Sequence, residues 1–154
     1  MRLVRPILIS LFAGLGLLLA GCENNSGPWL AFDGGGFVFN YRTAQVFYGF
    51  NVRLLRTLAN GTVLVAEFQD PAGGPDLVVR DMVRPNTDVY SFQSPALTGV
   101  EAHKPYKGTI KILEAGTNKL IASYERDFKS QVGQDWLPEK PLVVGPGYKP
   151  NPEL

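Results

Sequence analysis

Read for alternation of apolar and polar positions, the chain gives short strands separated by turns. Beyond residue 28, proline or glycine interrupts nearly every window long enough to test a helical period, while period-two stretches and short apolar runs recur between turn residues. Residues 37–41 follow a triple glycine, and an apolar stretch runs over residues 46–58. Asn60-Gly61 stands between Leu-rich and Val-rich arms, the strongest short-range signal for a hairpin, with its register left open. A further strand is predicted over residues 77–83, after a loop at 70–76 and before Pro85-Asn86.

Residues 89–93 alternate, with Tyr90 and Phe92 on one face. Tyr106, Gly108, Ile110 and Ile112 then alternate with Lys107, Thr109 and Lys111, the clearest half-buried strand in the chain. After a turn at 114–119, Leu120, Ala122 and Tyr124 share a face opposite Ile121, Ser123 and Glu125. About seven short strands over residues 29–130 predict an all-β fold, a β-sandwich. Residues 131–154 carry five prolines, which predicts a proline-rich tail that is extended and largely unpaired in sheet. Trp136, Leu137 and Leu142-Val143-Val144 are its apolar parts.

The start of the chain follows different rules. Arg2 and Arg5 precede a continuous apolar and small-residue run of fourteen residues, 7–20. That run is shorter than the roughly 20 residues a bilayer-spanning helix needs, and its basic flank and small residues are those of a secretory signal peptide. Gly21 and then Cys22, the single cysteine of the chain, follow the run. An unpaired thiol in an exported protein requires a reason, because it can form no internal disulfide.

Leu19-Ala20-Gly21-Cys22 resembles the lipobox of bacterial lipoproteins, in which the cysteine is acylated and becomes the mature N-terminus. The resemblance implies a signal peptide over 1–21, lipid on Cys22, and a location in the cell envelope with the membrane as a partner. Under the sorting rule it carries, Glu23 implies the outer membrane, with the domain in the periplasm. Residues 22–28 then form a short lipidated tether. Several buried acyl chains hold firmly where one does not, each methylene contributing about 0.8 kcal/mol.

A second resemblance lies in Leu97-Thr98-Gly99-Val100-Glu101-Ala102-His103-Lys104-Pro105-Tyr106. It is similar to the corner before the sixth strand of fibronectin type III domains, and covers about residues 89–128. It implies an immunoglobulin-like (fibronectin type III-like) sandwich whose Tyr106 ring enters the core beside Leu97 and Val100. The tyrosine hydroxyl then bonds backbone a few residues upstream. The early-strand tryptophan usual in such domains has no counterpart in residues 37–55, so the strand assignment of the first half stays open.

Charge and chemistry add little. The mature part, residues 22–154, has a net side-chain charge of about −1 with the signs mixed, which gives no electrostatic case for nucleic acid. His103, the single histidine, sits in a turn, and one histidine with no free cysteine closes the Cys/His routes to zinc. Asp33-Gly34-Gly35-Gly36 lacks the Gly-Lys-Ser/Thr ending of a phosphate loop, and a bend or bulge explains its glycines better. No catalytic residue, cofactor motif or metal set is singled out.

The aromatic cluster of Phe37, Phe39, Tyr41, Phe47, Tyr48 and Phe50 is read mostly as core, with Tyr41 or Tyr48 as candidate contacts for a partner. Trp136 and Leu137 join them as candidates, either docking a partner or folding back over the end of the sandwich. Two functions follow. One is a non-catalytic, lipid-anchored protein that binds a protein partner or supports envelope assembly. The alternative is a small envelope enzyme or carbohydrate-binding module with a surface site the sequence does not reveal.

Overall fold

A computed structural model describes residues 27–154; the expected signal peptide, residues 1–21, and Cys22 lie outside them. The described chain is all-β apart from one 3₁₀ turn, Gln134–Trp136. Strands β1 (Leu30–Asn40), β2 (Gln45–Leu54) and β5 (Val89–Gln93) form one antiparallel sheet in the order β1-β2-β5. Strands β3 (Val63–Phe68), β4 (Leu77–Met82), β6 (Pro105–Leu113) and β7 (Leu120–Lys129) form the second, ordered β4-β3-β6-β7. Their inward faces meet as a β-sandwich.

Alternation decides which side chains point inward. Val46, Tyr48, Phe50 and Val52 of β2 are all buried, as are Tyr106, Ile110 and Ile112 of β6. Leu64, Ala66 and Phe68 of β3 and Tyr90 and Phe92 of β5 complete the layer. At its centre Phe50 of the first sheet stacks on Phe128 of the second, with ring centroids 5.6 Å apart at 10°. Gly108 makes that pair possible, because a Cβ there would lie 2.8 Å from Phe128 and 2.9 Å from Phe50.

The triple glycine is a bulge. The register of β1 on β2 shifts between Phe32 and Gly35, and Gly35 lies at φ +153°, where a Cβ would fall 2.6 Å from both the Gly49 carbonyl and the Phe128 ring. Close backbone approach therefore requires glycine at this point.

Two expectations are corrected. Asn60-Gly61 makes a turn, with the Thr62 N–H donating to Ala59 C=O at 3.1 Å, but its arms do not pair as a hairpin. Only Gly61 has positive φ (+81°), the pattern of a type II turn and not of the type I′ turn that closes hairpins. The chain instead leaves β2 at Leu54, buries Leu58 and crosses to the other sheet.

Leu120 is exposed and off the inward face of Ala122 and Tyr124, because the β6–β7 register shifts between Ile112 and Leu113 and sets Leu120 opposite Leu113. Finally, the proline-rich tail contains a small hairpin of β8 (Val143–Val144) and β9 (Lys149–Pro150), closed by Gly145 to Tyr148. Its glycines at φ +68° and +90° supply the turn, and Pro150 sits where no ladder donor is required.

Candidate functional site

The sandwich has two ends, set by β1. Trp29 precedes it and Tyr41 follows it; eleven residues of strand put these roughly 30 Å apart.

At the Tyr41 end, β1 turns into β2 through Tyr41 to Ala44, with Asn40 Oδ1 accepting from the Arg42 N–H at 3.1 Å. Tyr41 faces outward and lies 6.3 Å from the Trp136 ring, tilted by 57°. Trp136 is 59% exposed, held there by the 3₁₀ turn whose Gln134 N–H donates to Val100 C=O at 2.7 Å. The neighbouring Leu137 points the other way and packs against the core. The tail hairpin docks beside Tyr41 through the Val143 N–H, which donates to Arg42 C=O at 3.1 Å. The Arg42 guanidinium lies 5.4 Å from the Tyr148 ring, and Leu142, Val144 and Tyr148 are exposed. The result is an exposed aromatic and aliphatic face built from the β1–β2 turn and the tail. A cleft of about 470 Å³, lined by Ala44, Gln134, Asp135, Leu137, Pro138 and Glu139, adjoins it.

Tyr48 is corrected as a contact residue. It is wholly buried, and its hydroxyl ties the two sheets by donating toward Lys107 C=O at 2.9 Å and Gln69 C=O at 3.1 Å. Burial, followed by the negative charge of Asp76, raises its ionisation well above the ordinary tyrosine value.

The corner around Tyr106 underlies the same end. Tyr106, Leu97 and Val100 are buried together. The Tyr106 hydroxyl accepts from the Glu101 N–H at 2.9 Å and points its own proton toward Gly99 C=O at 3.4 Å. His103 is exposed with a left-handed backbone, φ +62°, and its N–H donates to Ser130 C=O at 2.7 Å. It closes the corner as a turn residue. The ion pair with Glu101 holds Lys104 above the ordinary lysine range, and that with Glu125 does the same for Lys107; both are solvent-exposed.

The opposite end carries a wider cleft, about 840 Å³, lined among others by Trp29, Arg56, Val83, Arg84 and Asp88. Arg56 lies over Trp29, its guanidinium carbon 3.5 Å from the ring centroid, and donates to Gly27 C=O at 3.1 Å. Arg53 is engaged by Asp33 at 2.6 Å and Asp88 at 3.5 Å, and Arg84 by Asp81 at 2.9 Å. Among the described residues, no group of three or more His, Cys, Asp or Glu side chains is placed to hold a metal ion.

Sequence reasoning thus singled out Tyr41 and Trp136, named Leu142 and Val144 only as apolar positions of the tail, and missed Arg42 and Tyr148. The signal was present: Val143-Val144-Gly145-Pro146-Gly147-Tyr148 has turn residues between two β-formers, and the density of prolines around it obscured the hairpin. Compared with family models, curated proteins and solved structures, the chain has no significant match.

Proposed function

We propose that this chain is a lipid-anchored envelope protein whose β-sandwich binds a protein partner without catalysis, using the face built by Tyr41, Trp136 and the tail hairpin. The observation that carries this is the exposed Tyr41–Trp136 pair, flanked by Tyr148 and Arg42, at the end away from the N-terminus. Tyrosine, tryptophan and arginine are the residues enriched at binding hot spots, and here a folded turn already orders them. The 57° tilt between the two rings gives a corrugated surface, better suited to interlocking side chains than to one flat sugar face.

The anchor rests on the Leu19-Ala20-Gly21-Cys22 sequence, and the envelope location and outer-membrane sorting follow from it. With Cys22 acylated, the domain hangs from its Trp29 end and presents the aromatic face away from the membrane. The finer fold assignment belongs to the same proposal. Because β4 lies beside β3 and not in the sheet of β1, β2 and β5, the order differs from that of immunoglobulin constant domains and supports the fibronectin type III-like form.

A photoreactive residue placed at Tyr41 or at Tyr148, with Ser123 on the outer face of β7 as control, tests the binding face in cells. A discrete crosslinked protein from the first two positions and none from Ser123 is expected. Equal crosslinking from all three, or a glycan as the captured species, contradicts it.

A further inference from the structure

We infer that the Trp29 end of the sandwich is a bilayer-docking face, on which Met82, Leu120 and Leu55 enter the lipid interface and Arg56 meets phospholipid phosphate. The inference rests on the lipid anchor proposed above and adds a second membrane contact to it.

Three observations converge on this end. The first is a row of apolar side chains across the outer face of the four-stranded sheet. Met82 pairs with Val63, Val63 with Leu113, and Leu113 with Leu120, so one large apolar residue stands on each of four adjacent strands. At about 4.8 Å between strands the row is roughly 14 Å wide. Met82 and Leu120 are each more than half exposed, as is Leu55 on the crossing that leaves β2 at the same end. The register shift at Ile112/Leu113 is what turns Leu120 outward and adds the exposed Ile121 beside it. An outer sheet face in water has no use for such a row, whereas an interface removes it from water.

The second is the tether. Five residue steps separate Cys22 from Gly27, which reach at most about 18 Å when extended. The headgroup layer of one leaflet takes up roughly 5–8 Å of that. An acylated Cys22 therefore holds this end within about 13 Å of the headgroups. At that range a patch too weak to bind alone still docks, because the anchor supplies its effective concentration.

The third is charge. Arg53 and Arg84 are satisfied by Asp33, Asp88 and Asp81, but Arg56 has no carboxylate partner among the described residues. Its Nε is buried with no hydrogen-bond partner there, and it lies on Trp29 in the open cleft beside Gly27. A guanidinium held over an indole, with only its Nη1 bonded to protein among the described residues, is suited to phosphate, and tryptophan is the residue most at home at headgroup depth.

The test uses the lipidated mature protein in vesicles of phosphatidylethanolamine and phosphatidylglycerol. A single spin label is attached at Met82→Cys, at Leu120→Cys, or at Ala96→Cys on the opposite end. Collision with oxygen, which concentrates in lipid, is compared with collision with a water-soluble nickel chelate. The oxygen-to-nickel ratio at positions 82 and 120 is expected to exceed that at 96 several-fold, and the ratio at 120 to fall several-fold when Met82→Glu is added. Equal ratios at all three positions, with acylated Cys22 verified by intact mass, overturn the docking face and leave the anchor standing. Unmodified Cys22 overturns both. Protection from nickel with no gain in oxygen, together with spin–spin broadening, would mean that a second copy covers the row and equally overturns the inference.

Discussion

Gly108 sits midway along the inward row of β6, where a tyrosine and two isoleucines flank a residue with no side chain. Its hydrogen atom leaves the space that the Phe50–Phe128 stack fills. Gly108→Ala would drive a Cβ into two rings and is expected to destabilise by about 1–3 kcal/mol, measured by urea unfolding. Tyr106→Phe keeps the ring but leaves the part-buried Glu101 N–H without its acceptor at 2.9 Å, and should cost about 1–2 kcal/mol. Lys107→Ala, one residue on, loses only an exposed ion pair with Glu125 and should stay within about 0.5 kcal/mol. Equal urea midpoints for the two variants would contradict this assignment of the corner. Tyr48 adds a pH dependence. Its folded state holds the proton beyond the ordinary value of 10.0, so folding and ionisation are independent below that pH. Above it the unfolded chain releases the proton first, and stability falls as pH rises, by up to about 1.4 kcal/mol per unit. Tyr48→Phe should therefore lose less stability than the native chain between pH 10 and about 11. Period-two alternation made the inward direction of Tyr106 legible. It could not say whether Tyr48, in an aromatic run with similar residues at neighbouring positions, faced core or solvent.

At the scale of elements, the strands of the second half were readable because each is bounded by turns and alternates cleanly; β5 falls at residues 89–93 and β6 includes the whole 106–112 alternation. What failed were features that depend on partners. The Asn60-Gly61 turn exists, but whether its arms pair with each other or with strands far along the chain is decided by sheet assembly. The register shift that turns Leu120 outward is likewise a property of β6 and β7 together. The tail hairpin is tied to the sandwich by the Val143–Arg42 hydrogen bond at 3.1 Å and the Arg42–Tyr148 contact at 5.4 Å. An exposed hydrogen bond and an exposed cation–π contact are each worth about 1 kcal/mol. Deleting residues 138–154 should thus lower stability by no more than about 2 kcal/mol while removing Leu142, Val144 and Tyr148 from the proposed binding face, so that crosslinking from Tyr41 weakens. A loss of folding on deletion would instead make the tail part of the core.

For the whole molecule, β1 separates two ends with different chemistry. One, beside the N-terminus, has a stacked arginine and an apolar row; the other has an aromatic face raised on a turn and a tail. The lipobox-like motif at Cys22 rests on the sequence alone, because it lies outside the described residues. Of the proposed binding face, the sequence named Tyr41 and Trp136 but not Tyr148, since Tyr41 and Tyr148 are 107 positions apart and only folding brings their turns together. Anchoring has its own check: Cys22→Ser should leave an unprocessed precursor and remove the mature species from the detergent phase. The central claim, that this end binds a partner and is more than a cap on the sandwich, is tested most directly by Trp136→Ala. Crosslinking from Tyr41 in cells and the urea midpoint of the purified protein are measured on the same variant. Trp136 is 59% exposed, so its removal should abolish the crosslinked species while shifting stability by less than about 1 kcal/mol. An intact crosslink accompanied by a clear loss of stability would show that Trp136 only covers the end of the fold, and would contradict the account.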